Sequence, residues 1–204
     1  MKSYPSINSS VGQNFREFDA YVFAKMDGSN LRFEWSRKNG WTKYGTRKRL
    51  FDETDEIFGN AIPLFHESWA KELHDIFKKQ RYENAVAFME FYGPNSFAGQ
   101  HIDEDVKTLT LFDVAVHKKG ILGPKEFVDI YGDLNIAEYL GRHNWTRNFV
   151  QRVRDGEFLD KSFEGVVGKT GEGHKLYMAK AKSQAWVDKV RQKYGDDAES
   201  IIMS

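Results

Sequence analysis

Lys25-Met-Asp-Gly-Ser-Asn30 links two strand-forming runs, Val22-Phe23-Ala24 on one side and the alternating Leu31, Phe33 and Trp35 on the other. Gly28 permits a tight turn, so the chain is expected to reverse here with a lysine held at the bend between two half-buried strands. Asn39-Gly40 signals a hairpin turn soon afterwards. Ala85-Val-Ala-Phe-Met-Glu-Phe-Tyr92 and Thr108-Leu-Thr-Leu-Phe-Asp-Val-Ala-Val116 are dense in β-formers and end near Gly93 and Gly120, as core strands do. Phe163-Glu-Gly-Val-Val-Gly168 and Leu176-Tyr-Met-Ala-Lys-Ala-Lys182, separated by Gly171 and Gly173, predict one more hairpin.

Helical periodicity lies between these runs. Phe65, Trp69, Leu73, Ile76 and Phe77 recur on one face of a helix over 65–80, with the charged residues opposite. Asn144 reads as the N-cap of a helix that turns Trp145, Phe149, Val150 and Val153 inward and stops at Gly156. A last helix starts near Ser183, with Trp186, Val190 and Tyr194 on its inner side. Strand pairs mixed with separate helices predict an α+β domain built on antiparallel sheets.

With 204 residues, and no repeat or low-complexity linker, the chain is expected to form one domain over 1–204. It contains no cysteine, which excludes disulfides, thiolate metal sites and cysteine nucleophiles, and leaves any metal to oxygen or imidazole ligands. Thirty Lys and Arg balance thirty Asp and Glu, so a nucleic-acid surface would have to come from local clustering. No apolar run approaches the roughly 20 residues that span a bilayer, and no leader-like segment opens the chain, so the expectation is a cytoplasmic protein without membrane contact.

A lysine on a turn becomes a nucleophile only as the free amine, and its ordinary pKa of about 10.4 must then be lowered by nearby positive charge or by desolvation. Lys180 and Lys182 are candidates to supply that charge. Their i, i+2 spacing puts both ammonium groups on one face of a strand, where they can also grip phosphate oxygens, while Ala179 and Ala181 face the packed side. Glu164, among apolar and glycine neighbours, is the candidate ligand for Mg²⁺ or another hard cation. Phe112, in a run of strand formers, is by itself as readily a core residue as a site residue. His66, His74, His101, His117, His143 and His174 show no metal-ligand spacing and are read as surface or structural. Trp69 and Trp186 are read as core.

Lys25-Met-Asp-Gly-Ser-Asn30 resembles motif I of the covalent nucleotidyltransferase superfamily, the ATP-dependent DNA ligases, RNA ligases and mRNA capping enzymes. Phe88-Met-Glu-Phe-Tyr-Gly93 resembles its motif III, Leu111-Phe-Asp-Val114 motif IIIa, Glu164-Gly-Val-Val167 motif IV and Lys180-Ala-Lys182 motif V, all in the family's order. Asn30 at the end of motif I is more similar to RNA ligases, especially the phage RNA ligase 2 group, than to DNA ligases. The resemblance implies an antiparallel-sheet, ATP-grasp-like nucleotidyltransferase domain. It further implies that Lys25 is adenylated, that Asp27 orients the lysine or aids a later attack, and that Glu90 recognises the ribose of ATP. By the same resemblance Phe112 stacks on adenine, Asn30 lines the pocket, Glu164 serves Mg²⁺ or Mn²⁺, and Lys180 and Lys182 contact phosphates. An arginine expected between motifs I and III is Arg47, with Arg49 as the alternative.

About 22 residues follow Lys182, so neither the oligonucleotide-binding domain of DNA ligases and capping enzymes nor the helical C-terminal domain of many RNA ligases is expected. The expected activity is sealing of 5′-phosphate and 3′-hydroxyl ends of RNA, in a nicked duplex or an RNA/DNA hybrid, by a phage-like monomer acting in the cytoplasm. The strand would be gripped either by a basic strip of Arg47, Lys48 and Arg49 or by an accessory protein. A minimal DNA ligase, and a non-catalytic nucleotide- or RNA-end-binding module, are the rival expectations.

Overall fold

The structure, a computed structural model, describes residues 3–10, 15–93 and 106–203. Its strands are β1 (Asn8–Ser9), β2 (Phe18–Lys25), β3 (Ser29–Ser36), β4 (Gly40–Thr46), β5 (Leu50–Phe51), β6 (Asn84–Tyr92), β7 (Thr108–Val116), β8 (Gly120–Ile121), β9 (Tyr139–Trp145), β10 (Gly165–Thr170) and β11 (Tyr177–Lys182). The α-helices are α1 (Ala61–Ser68), α2 (Ala70–Lys79), α3 (Pro124–Tyr131), α4 (Arg147–Arg154), α5 (Gln184–Tyr194) and α6 (Ala198–Met203). Five strands form one sheet in the order β1-β11-β10-β2-β9, and six form a second in the order β5-β4-β3-β6-β7-β8. Of the pairings between these strands only the two-residue contact of β1 with β11 is parallel, and an isolated parallel bridge joins Leu111 to Ile136, so the expected antiparallel α+β architecture is what the chain adopts.

The hairpins predicted at Asn39-Gly40 and over 163–182 form, with Gly40 at φ 70° ending the turn between β3 and β4, whereas β2 and β3 on either side of Gly28 lie in different sheets and do not pair. The helices needed correction. The amphipathic stretch begins at Ala61 and is broken into α1 and α2 at Trp69, whose backbone leaves the helical region at φ −132°. Its indole N–H donates to the Leu109 carbonyl on β7, so a tertiary contact overrides the local period. Asn144 and Trp145 belong to β9, and the cap of α4 is Thr146, whose Oγ1 accepts from the Phe149 amide. β9 and α3 carried too weak a pattern to be foreseen. Ser183 does cap α5, accepting from the Trp186 amide.

Period-two alternation decides what each sheet presents. Leu31, Phe33, Trp35, Ala87 and Met89 turn toward α1, α2 and α3, where Phe33 stacks on Phe65 with ring centroids 4.0 Å apart. Val22, Val166, Ala179 and Ala181 turn toward α4, against Trp145, Phe149 and Val153. The opposite faces of the two sheets meet around Tyr4, Phe88 and Met178, and beyond that contact they bound a cleft. Among the described residues no helix is long and apolar enough to cross a membrane.

Candidate active site

β2 ends in one sheet at Lys25 and β3 begins in the other at Ser29, so the 26–28 turn sits at the seam between the sheets. Gly28 is required here for a reason other than turn freedom: a Cβ would stand 2.6 Å from the Phe91 carbonyl and 2.9 Å from Tyr92 Cβ. That close approach lets the Gly28 amide donate to Glu90 Oε1 at 3.1 Å. Across the first sheet, Gly165 is the register partner of both Lys25 and Lys182, so these two lysines flank it in one lateral row. Gly165 has φ 136°, and a Cβ there would fall 2.1 Å from the Ala181 carbonyl. Only glycine turns the chain sharply enough to leave Glu164, just before β10, aimed between the two lysines.

The resulting ion cluster is compact. Lys25 Nζ lies 2.7 Å from Glu164 Oε1, and Lys182 Nζ lies 3.3 Å from the same oxygen. Glu164 is 4% exposed, whereas Lys25 retains 21%. Ser162 fixes the backbone beneath them by donating from Oγ to the Lys25 carbonyl at 2.6 Å. One row further along, Lys180 projects from β11 into the same cleft, buried at 7% exposure. The expected partition of β11 therefore holds, with lysines in the cleft and alanines against α4.

Two hollows meet at Lys25. An inner cavity of about 290 Å³ is walled by Phe23, Phe112 and Val167 and reached by Lys169, Lys180 and Glu90. An outer groove of about 570 Å³ is bordered by Asp27, Glu164, Lys182, Trp186 and the 46–49 turn. Lys25, Gly28, Asn30 and Arg47 line both. Of the two arginines left open by the sequence, Arg47 faces both hollows. Arg49 lines only the outer groove, and its guanidinium is ion-paired with Asp55 and lies over Phe58.

Phe112 and Asp113 share the cleft face because of a bulge. Phe88 pairs with Asp113 but Met89 pairs with Leu111, which makes Phe112 the extra residue of β7. Phe112 and Asp113 thereby both leave the helix-covered face, and Phe112 meets Tyr4 edge-on at 5.1 Å. Sequence reasoning missed the support behind it. Asp113 accepts from the Tyr4 hydroxyl and pairs with Lys169 Nζ at 2.8 Å, and Lys169 also donates to the Phe112 carbonyl at 2.8 Å. Lys169 was legible as the cleft-facing position two after Val167; Tyr4 had no local signal.

Electrostatics correct one expectation outright. Burial pushes the Lys25 ammonium pKa down, but the carboxylates of Glu164 and Glu90 outweigh it and the net direction is up, not down. Burial, then the charges of Lys182 and Lys25, lower Lys180 to about 8. Burial also lowers Lys182, against the opposing pull of Glu164. Glu90 is pushed up to about 8, chiefly by burial, with Lys25 opposing and Glu164 adding. Because the folded-state value of Glu90 lies above an unfolded value of about 4.3, the folded state binds the extra proton, and stability falls as pH rises between the two. Glu90→Gln removes that dependence while keeping an oxygen for the Gly28 amide. Allowing for solvent in the cleft, it is expected to melt with wild type at pH 5 and to gain on the order of 1–2 kcal/mol at pH 9. Melts followed by circular dichroism check this, and an equal difference at both pH values would contradict it.

Among the described residues no three His, Asp or Glu side chains are grouped to hold a metal. The oxygen donor of the groove between the lysines is the Glu164 carboxylate, the chemistry a hard cation takes. His66 and His74 are occupied structurally, by the Tyr44 hydroxyl at 2.7 Å and the Trp35 indole at 3.0 Å; His101 lies outside the described residues.

No protein-family model and no curated protein matches the sequence. Solved structures do. An archaeal ATP-dependent RNA ligase is 18% identical, with a TM-score of 0.67 over 99% of this chain and 56% of its own. The RNA ligase of Naegleria gruberi, solved with ATP and Mn, is 16% identical with a TM-score of 0.61 over 84% of this chain and 51% of its own. The same ligase solved with AMP and Mn gives 15% and 0.60. The chain spans about half the length of these proteins. What it shares with them is the fold: two antiparallel sheets closing on a cleft, in the α+β arrangement of that part of an ATP-dependent RNA ligase.

Proposed function

We propose that this chain is the ATP-grasp-like nucleotidyltransferase domain of an ATP-dependent RNA ligase of the RNA ligase 2-like type. The observation that carries the reading is Lys25 at the boundary of a partly apolar inner cavity and a more open cationic groove, with Glu164 Oε1 2.7 Å away. The inner cavity takes adenosine. Phe112 stacks on the base, and Glu90, protonated at neutral pH, offers the ribose both a donor and an acceptor. Asn30 and Arg47 border the point where the phosphates pass outward.

Lys25 Nζ then forms a bond to the α-phosphorus as the bond from that phosphorus to the bridging oxygen breaks; pyrophosphate leaves, and the amine sheds its proton to solvent. The step needs the free amine, and the Glu164 carboxylate holds the proton on. Lys25 is released for attack when Glu164 is drawn into other contacts, after which Lys180 and Lys182 favour the neutral amine. A divalent cation, Mg²⁺ or Mn²⁺, held by Glu164 would supply the counter-charge for the phosphates. AMP passes next to a 5′-phosphate, breaking the nitrogen–phosphorus bond and restoring Lys25. A 3′-hydroxyl finally attacks the 5′-phosphorus and expels AMP. Arg47 and Lys48 on the outer rim bind the strand's phosphates, and Asp27 orients the turn during these later attacks.

The test uses ATP labelled at the α-phosphate, with protein first discharged by pyrophosphate, followed by a chase with nicked duplexes. Label is expected on the protein, then on a 5′-phosphorylated end, then in free AMP as strands with RNA at the 3′-hydroxyl side are sealed. Sealing of all-DNA nicks alone would establish a DNA ligase. Nucleotide binding without any label would establish a binding module.

A further inference from the structure

We propose that Trp186 is a positioning residue that acts through Lys182, holding its ammonium at the outer groove ready for phosphate oxygens. The proposal rests on the nucleotidyltransferase reading only for what the phosphates belong to. Lys182 Nζ lies 4.2 Å from the centroid of the Trp186 ring, within the range of a cation–π contact. The same ammonium is 3.3 Å from Glu164 Oε1 and donates to the Ile201 carbonyl of α6 at 3.4 Å. Three grips of different kinds thus converge on one amine.

They do not persist equally. Lys25, Lys180 and Lys182 surround Glu164, and once that carboxylate turns to other partners its hold on Lys182 weakens. A four-carbon side chain with the cationic Lys25 and Lys180 beside it would then swing outward. The indole face carries no countercharge that a phosphate or a cation can draw off, so it keeps Lys182 in place when Glu164 lets go. Ordering the side chain beforehand also removes part of the entropic cost of gripping phosphate.

The ring is fastened to the groove by the start of α5. Ser183 N donates to the Glu164 carbonyl at 2.9 Å, Ser183 Oγ donates to the Phe163 carbonyl at 2.6 Å, and the Trp186 amide donates back to Ser183 Oγ at 3.1 Å. Glu164, Lys182 and Trp186 are therefore set by one knot of backbone. Trp186 is 1% exposed, and its indole nitrogen is buried without a hydrogen-bond partner. Filling space would not require that nitrogen, since a phenyl ring leaves no donor unpaired; what the indole adds is the strongest π face available to a cation.

Inorganic tripolyphosphate, measured by titration calorimetry, is the probe. Trp186→Phe keeps a π face and is expected to bind within about threefold of wild type, while Trp186→Leu, which keeps only apolar bulk, loses roughly tenfold. Trp186→Leu combined with Lys182→Ala is expected to bind no more weakly than Lys182→Ala alone, because the ring acts through that amine. Equal affinities for the Phe and Leu variants, additive losses in the double variant, or no binding by wild type would overturn the proposal. In wild-type protein the ε-methylene protons of Lys182, assigned by their loss in Lys182→Arg, should resonate upfield under the ring current. Their appearance at the ordinary lysine position would overturn it whether or not Trp186→Leu folds. Tripolyphosphate binding with this pattern but without covalent labelling by ATP would reject lysine adenylation and leave the positioning role standing.

Discussion

Lys25→Ala protein is expected to acquire no label from ATP carrying a labelled α-phosphate, a loss of at least roughly three orders of magnitude in rate, because no other group takes over a covalent nucleophile's role. The variant should remain folded. Glu164 keeps Lys182 Nζ at 3.3 Å, so removing Lys25 does not leave a buried carboxylate alone. Lys25→Arg sharpens the result by preserving the positive charge beside Glu164 in a group that stays protonated at any working pH. Its melting temperature should lie near that of wild type and its labelling should be absent. Wild-type labelling in either variant would place the nucleophile elsewhere.

Glu164→Gln is expected to cut the rate of labelling by about a hundredfold and to move half-saturation to higher Mg²⁺ concentration, with the protein still folded. Two effects oppose each other. Without the carboxylate, Lys25 loses the strongest upward pull on its pKa, so more of it is free amine. The groove also loses the one acidic ligand that both lysines surround, leaving the triphosphate's charge poorly compensated. The second effect should dominate, since a bound cation at a transferring phosphoryl group is worth several kcal/mol, more than the gain from freeing the amine. Rates of labelling across a Mg²⁺ series decide this, and unchanged labelling would refute the metal-binding role.

Much of the site was legible because it lies on strands, where period two fixes which side chains share a face. Lys180 and Lys182, Ala179 and Ala181, and Leu31, Phe33 and Trp35 all face as their spacing predicts. Phe112 came from resemblance alone: alternation from Leu109 and Leu111 does turn it away from the helices, but the register shift that brings Asp113 to the same face has no signal in the period. Tyr4, Asp113 and Lys169 escaped because their association joins β7, β10 and a segment near the start of the chain through a buried network with no local periodicity. Asn144 failed as a cap for a comparable reason: β9 pairs with β2 through Trp145, and that tertiary pairing postpones the helix until Thr146. The Lys25 shift runs upward because Glu164 Oε1 stands 2.7 Å from its ammonium, a contact that strand periodicity does not reveal.

The two sheets differ in how far along the chain their strands are drawn from. All six strands of one lie within 29–121 in mostly neighbouring hairpins, whereas in the other β2 must find β9 and β10. The hydrogen bond from Ser162 to Lys25, across 137 residues, marks the length of loop to be closed. Such closure is slow relative to hairpin formation. During synthesis, β2 therefore waits on the ribosome with Lys25 at its end while the other sheet assembles. The cluster of Lys25, Glu164 and Lys182 is complete only after β10 and β11 have emerged. The exposed edge of the waiting strand, where unpaired backbone invites association, is the place where aggregation during expression should begin.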